Sequence, residues 1–177
     1  MTRIEIIILI GLTLLLIWLS WWISIRGKRY HGIYRFFSFE SIVLLVLLVY
    51  PDWFHNPASW HQLLSWVFLA GSIMVAVLGF VTFYKEGKPS DQLEQTTHLI
   101  ETGMFAYIRH PLYLSLIMGG LGVMWKHPGY LEILLSCINI TALYLTAKVE
   151  EKEMIVTFGD GYAEYMKRTR MFIPFIF

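Results

Sequence analysis

The stretch RHPLYLSLIMGGLGVMWKHPGYLEILLSCINITALYLTAKVEE, residues 109–151, decides the fold. It holds two continuous apolar runs, Leu112–Trp125 and Leu131–Ala147, joined by the short Lys126–Tyr130 turn. Continuous rather than alternating runs favour helices over membrane strands. Two helices joined so closely form a hairpin. Its polar ends, Arg109-His110-Pro111-Leu112-Tyr113 and Glu150-Glu151, then meet at one membrane face. Polar clusters that open and close apolar helices are rarely needed for folding alone. They point to a small charged ligand held at the membrane boundary.

Three further apolar stretches precede the hairpin, at Ile4–Ile25, Phe36–Tyr50 and Leu63–Tyr84. A helix needs roughly 20 apolar residues to cross the hydrocarbon core. The first and third of the five qualify outright, whereas the second, fourth and fifth are short. At about 1.5 Å per residue the fourth covers only ~21 Å, so it must borrow flanking residues, thin the bilayer or rely on the hairpin. Ile4–Ile25 is too long for a signal-peptide core and lacks a small-residue cleavage site, so it reads as a retained anchor. The expected fold is an all-α polytopic membrane protein of about five transmembrane helices, with a C-terminal helical hairpin. It is expected to be a single domain, 1–177, with three spans in 1–84 and the polar half in 85–177.

Composition agrees. The 177 residues are 56% hydrophobic and 15% charged, against about a quarter charged in soluble domains. Mean hydropathy is +0.57. A net charge of +1 provides no field for nucleic acid. The single cysteine, Cys137, lies within an apolar run and reads as a small buried residue that forms no intrachain disulfide.

The placement of charge sets the orientation. Arg26, Lys28, Arg29 and Arg35 lie between the first two spans, and Lys85 and Lys88 follow the third. Lys148, Lys152, Lys167, Arg168 and Arg170 follow the fifth, while the loop 51–62 has neither Lys nor Arg. The positive-inside rule therefore predicts an external N-terminus and a cytosolic C-terminus, in what reads as a prokaryotic inner (plasma) membrane. Trp53, Trp60 and Trp66 at the outer loop, and Trp21 and Trp22 at the other end of the first span, read as interfacial anchors. Glu40 sits near the inner end of the second span. An intramembrane carboxylate is functional by default, and at this boundary a snorkelling or Arg35-paired residue fits equally.

Two polar segments fall on the cytosolic side, 85–110 and 150–170. In the first, Gly103 permits a turn and Pro111 suits the first position of a helix. Pro111 also drives His110 toward an extended conformation. Helix-terminal N–H groups there can face an anion, and Arg109 can pair with a carboxylate or phosphate. His110 can donate to a carboxylate or stack on a ring, and Tyr113 points back over the helix start. The plainer reading is a basic anchor and a helix start. In the second segment, Glu150 and Glu151 follow the fifth run directly, where carboxylates are penalised unless solvated, paired or functional. If the helix continues, Glu150 shares a face with Met154 and Glu151 with Ile155. The plainer reading is a solvated face paired with Lys148 and Lys152. Gly159 and Gly161 break the helix, Asp160 is placed to cap the next one, and Tyr162 and Tyr165 share a face of it. Arg168 and Arg170 suit the lipid-headgroup level. His31, His55, His61, His98 and His127 show no metal-ligand spacing, and no phosphate-binding loop or nucleophile elbow is present.

The ordered pair G-x-x-x-Y-x-R-H-P-x-Y at Gly103–Tyr113 and E-E-x(6)-F-G-x-x-Y-x-x-Y at Glu150–Tyr165 resembles the integral-membrane methyltransferases. These are typified by isoprenylcysteine carboxyl methyltransferase, with phospholipid methyltransferases as relatives. The resemblance covers 97–174, a little under half of the chain. It implies S-adenosylmethionine as methyl donor in a cytosolic pocket closed by the C-terminal segment, with a lipid substrate entering from the bilayer. Carried over by motif, Leu99, Gly103 and Tyr107 line the cofactor, and Arg109, His110 and Tyr113 hold its amino-acid end. Glu150 lies at the cofactor or reacting centre beside Glu151, and Arg170 suits a substrate anion. Ser115 stands where the family frequently has glycine.

The implied function is S-adenosylmethionine-dependent methyl transfer to a lipophilic acceptor, with Glu150 and Arg170 as catalytic residues and Glu150 or Glu151 as the nearest base. The expected partners are a lipophilic substrate and membrane lipids, with no metal. Two alternatives remain open at this point: a sterol-reductase-like NADPH-dependent reductase and a non-catalytic lipid-binding subunit.

Overall fold

The computed structural model describes residues 3–22, 31–87 and 98–176, and Arg26, Lys28, Arg29, Lys88 and Thr97 lie outside that set. Among these residues six α-helices follow in order: α1 (Arg3–Ser20), α2 (His31–Val49), α3 (Trp60–Glu86), α4 (Pro111–Met124), α5 (Tyr130–Phe158) and α6 (Asp160–Arg168). Four of them, α1, α2, α3 and α5, are long and apolar enough to cross a membrane, and α4 is a shorter apolar helix of 14 residues. The chain is an all-α polytopic membrane protein. Two stretches expected to be short prove longer. α2 has 19 residues followed by a one-turn 3-10 helix at Tyr50–Asp52, and α5 runs 29 residues, well past the end of its apolar run.

The main packed pairs, α1 with α2, α2 with α5, α3 with α4 and α4 with α5, run antiparallel, and small residues hold them together. Lipid tails are as apolar as leucine, so close backbone approach and hydrogen bonds between helices replace the hydrophobic drive. On α3 the seam toward α4 is Ser65, Ser72 and Gly79, at a spacing of seven. Ser65 Oγ donates to the Gly122 carbonyl at 2.6 Å, and Ser72 Oγ to the Ser115 carbonyl at 2.7 Å. A Cβ on Gly122 would lie 2.8 Å from Leu69 Cγ and 3.1 Å from its backbone nitrogen. That closeness explains the glycines of this short helix. Ser115, the departure from the resembled pattern, is buried in this seam. α2 packs on α5 through Asn139, whose Nδ2 donates to Ser38 Oγ at 2.9 Å. α1 packs on α2 and has no buried residue, as befits a lipid-facing helix. Across that pair Thr13 Oγ1 donates to Glu40 Oε1 at 2.7 Å. Glu40 is therefore the tenth residue of α2, deeper than the boundary position expected, and its observed partner comes from α1. Cys137 is exposed on the surface of α5 rather than buried.

The connections at one end of the bundle are pinned by a lysine. Lys126 is 1% exposed. Its Nζ donates to Gln62 Oε1 at 3.0 Å and lies 3.2 Å from the centre of the Trp66 ring and 5.5 Å from that of Trp53. Gln62 Nε2 in turn donates to the Asp52 carbonyl at 2.8 Å. Trp53 and Trp66, read from sequence as interfacial anchors, form the walls of this site. Burial lowers the pKa of the ammonium, and two ring faces and one amide oxygen offset that cost. A cation–π contact is worth about 0.5–2 kcal/mol and a hydrogen bond to a charged group about 1.5–3. Lys126→Ala is expected to lower stability by about 2–4 kcal/mol, read as a fall in the detergent melting temperature. Lys126→Met, which keeps the apolar stem, is expected to recover part of it. An unchanged melting temperature in the alanine variant would remove the lysine as a keystone.

Candidate functional site

At the opposite end of the bundle, four segments converge: the loop before α4, the start of α4, the polar end of α5, and the chain after α6. Gly103 opens this region with φ +57°, and a Cβ there would lie 2.9 Å from Thr82 Oγ1 of α3. The turn it permits leads through a 3-10 turn, Gly103–Ala106, to Tyr107–His110. His110 takes φ −125° and ψ 62° ahead of Pro111, the first residue of α4, as expected of a residue before proline. Gly159, with φ +57°, ends α5 and turns the chain into α6. Gly159 rather than Asp160 is the N-cap residue of α6, and no side chain caps it.

The amphipathic α6 returns the chain to the loop. Tyr162 and Tyr165 share its buried face, both 3% exposed, with ring centroids 5.7 Å apart. Tyr165 donates to the Phe105 carbonyl at 2.7 Å, and burial raises the pKa of both phenols, which keeps them neutral. Arg168, placed by sequence at the headgroups, pairs with Glu101 at 2.6 Å. Beyond α6 the backbone runs parallel to Tyr107–His110, with Ile108 and Arg170 as the bridge pair. Arg170 N donates to the Tyr107 carbonyl at 3.0 Å, Arg109 N to the Arg170 carbonyl at 2.8 Å, and His110 N to the Met171 carbonyl at 3.2 Å. The ring of Phe172 lies 6.1 Å from that of His110.

Inside this frame the two glutamates differ. Glu151 is 3% exposed. Its Oε1 lies 2.7 Å from both Nε and Nη2 of Arg109, and its Oε2 lies 3.3 Å from Lys148 Nζ. Arg109 Nη1 also donates to the Thr169 carbonyl at 2.8 Å. Glu150 is more open, with a side chain 22% exposed. It accepts a hydrogen bond from the Tyr113 hydroxyl and lies 3.7 Å from His110 Nδ1. His110 is buried and stacks on Tyr113, with ring centroids 5.5 Å apart and planes 13° apart. Its Nε2 is 3.7 Å from Glu151 Oε1 and makes no hydrogen bond among the described residues. A buried nitrogen without a hydrogen bond is a costly arrangement unless a ligand completes it.

The residues singled out from sequence thus divide. Arg109, His110, Tyr113, Glu150 and Glu151 form one cluster. Tyr107 stands at its rim, 57% exposed, with its ring 6.2 Å from that of Phe175. Arg170 is joined through its backbone, while its side chain is exposed and, among the described residues, hydrogen-bonds only the Thr169 carbonyl, at 3.4 Å. Leu99 is half-buried beside Ile100, and neither it nor Gly103 shares a hydrogen bond with the cluster among the described residues. Thr169 and Phe172 were not singled out. Thr169 acts through its carbonyl, which every residue has, so no side-chain pattern marks it.

The fold and this site define a polytopic helical membrane protein with a carboxylate-bearing polar cluster at one end of its bundle. Residues 90–156 match the model of the isoprenylcysteine carboxyl methyltransferase (ICMT) family. Over that segment the chain resembles this family. Among similar proteins is methanethiol S-methyltransferase 1 of Bradyrhizobium diazoefficiens, 26% identical over 66% of this chain and 39% of that one. Others are protein-S-isoprenylcysteine O-methyltransferases. The one from Schizosaccharomyces pombe is 31% identical over 45% of this chain and 34% of its own length, and the one from Rattus norvegicus is 30% identical over 66% and 45%. The chain spans less than half the length of these relatives.

Proposed function

We propose that this single-domain chain, 1–177, transfers a methyl group from S-adenosylmethionine to a lipophilic acceptor at the cytosolic membrane face. The observation that carries this reading is the inequality of the two glutamates. Glu151 is neutralised by Arg109 and Lys148, whereas the ion pairing of Glu150 among the described residues is with His110 alone. A part-exposed carboxylate in that position attracts a cation. S-adenosylmethionine fits, because it carries an ammonium and a sulfonium, and when bound it supplies an electrophilic methyl group. The buried Nε2 of His110 gives the same ligand a hydrogen-bond partner. Leu99, Gly103 and Tyr107 are assigned to the approach on the loop side of the cofactor.

Methyl transfer is an in-line displacement, so the protein contributes mainly position and exclusion of water. Tyr113 and His110 fix the Glu150 carboxylate, and Phe172 and the chain around it cover the His110 side. A thiol or phenol acceptor has a proton to lose, and Glu150 is the base placed to take it, whereas a carboxylate acceptor needs none. The exposed guanidinium of Arg170 is assigned to an anionic group on the acceptor. The names of the relatives, a methanethiol S-methyltransferase and protein-S-isoprenylcysteine O-methyltransferases, make thiols and lipophilic carboxylates the first acceptors to try. The decisive experiment is calorimetric titration of the detergent-solubilised chain with S-adenosylhomocysteine, followed by labelled methyl transfer to these two acceptor classes. Saturable binding is expected, and its absence would sink the reading.

The reading also requires the site to face the cytosol. Reporter fusions after Lys88 and after Phe177 are expected to report cytosol, and one in the 51–62 loop the outside. The same signal from all three would refute the topology.

A further inference from the structure

The motif arginine belongs to the packing of the site rather than to its ligand. We propose that Arg109 is a positioning residue that clasps the chain after α6 onto the loop before α4. By neutralising Glu151, it leaves Glu150 as the carboxylate available to a cationic ligand. This inference rests on the methyl-donor reading above for its ligand half only.

All three nitrogens of the guanidinium have partners. Nε and Nη2 both lie 2.7 Å from Glu151 Oε1, and Nη1 is 2.8 Å from the Thr169 carbonyl and 3.4 Å from that of Met166. One planar fork therefore joins α5, the end of α6 and the segment that follows it. Its own backbone continues the connection, since Arg109 N donates to the Arg170 carbonyl. The side chains of Arg109 and Glu151 are 9% and 4% exposed, so a ligand carboxylate would have to displace a buried partner to reach this guanidinium. Only Arg has a rigid fork that spans a carboxylate and a carbonyl together, and a lysine offers a single point of charge.

Two measurements separate positioning from ligand contact. The first is limited trypsin digestion in detergent, using the native sites after Lys167, Arg168 and Arg170. Release of one partner of a buried pair is strongly destabilising, so Arg109→Gln is expected to speed cleavage there by at least about tenfold. The double variant Arg109→Gln/Glu151→Gln, which leaves no uncompensated charge, is expected to be protected better than Arg109→Gln alone. This readout needs no cofactor, so it tests the clasp even if the methyl-donor reading fails. Unchanged cleavage in Arg109→Gln, or no recovery in the double variant, would overturn the clasp.

The second measurement uses Arg109→Lys and compares S-adenosylhomocysteine with 5′-methylthioadenosine, which lacks the amino-acid end. A positioning role weakens both ligands by a similar factor. A direct contact to the ligand carboxylate weakens S-adenosylhomocysteine alone, and that result would overturn the assignment. If the parent chain binds neither ligand, the methyl-donor reading fails and the trypsin result still decides the clasp.

Discussion

Glu151→Ala is expected to lose about 3–5 kcal/mol of stability, the usual cost of removing one partner of a buried ion pair. The reason is the position of Arg109. Its side chain is 9% exposed, and without Glu151 its charge keeps, among the described residues, the carbonyls of Thr169 and Met166 and the Thr169 hydroxyl as acceptors. Lys148, paired with the other Glu151 oxygen, is 44% exposed and returns to water at little cost. The variant should melt at a markedly lower temperature in detergent, with the chain after α6 opening first. Glu151→Gln is expected to lose less, because the amide oxygen still accepts from the fork. A melting temperature for Glu151→Ala equal to that of the parent chain would show Glu151 to be a solvated residue.

The neighbouring substitution Glu150→Gln should behave in the opposite way. Its partners are a phenol hydroxyl, which an amide oxygen can still accept from, and an imidazole at 3.7 Å. Stability is therefore expected to change little. Binding of a cationic ligand is expected to fall by roughly 10- to 150-fold, since a charge-assisted hydrogen bond is worth about 1.5–3 kcal/mol and 1.4 kcal/mol is a factor of ten. Methyl transfer should fall at least as far. Calorimetry against S-adenosylhomocysteine and a thermal melt on the same sample make the check. Normal ligand binding would remove Glu150 from the site, and a large loss of stability would make it a second structural carboxylate.

This contrast between adjacent residues marks the boundary between pattern and packing. Continuous apolar runs can satisfy their backbone only as helices in lipid, so the all-α polytopic class follows from sequence. The short Lys126–Tyr130 turn likewise brings the two motifs to one end. Gly103 and Gly159, both with positive φ, were readable as turns, and Pro111 as a helix start, because those residues act through their own backbones. Tertiary structure alone decided which glutamate stays partly open and which is sealed under an arginine. Adjacent helical residues point about 100° apart, and what each meets depends on how α4 and the chain after α6 pack against α5. The same reason hid the Lys126 site. Its walls, Trp53 and Trp66, lie far from it in sequence, and a tryptophan at a membrane boundary has the same local pattern whether it anchors in lipid or covers a cation.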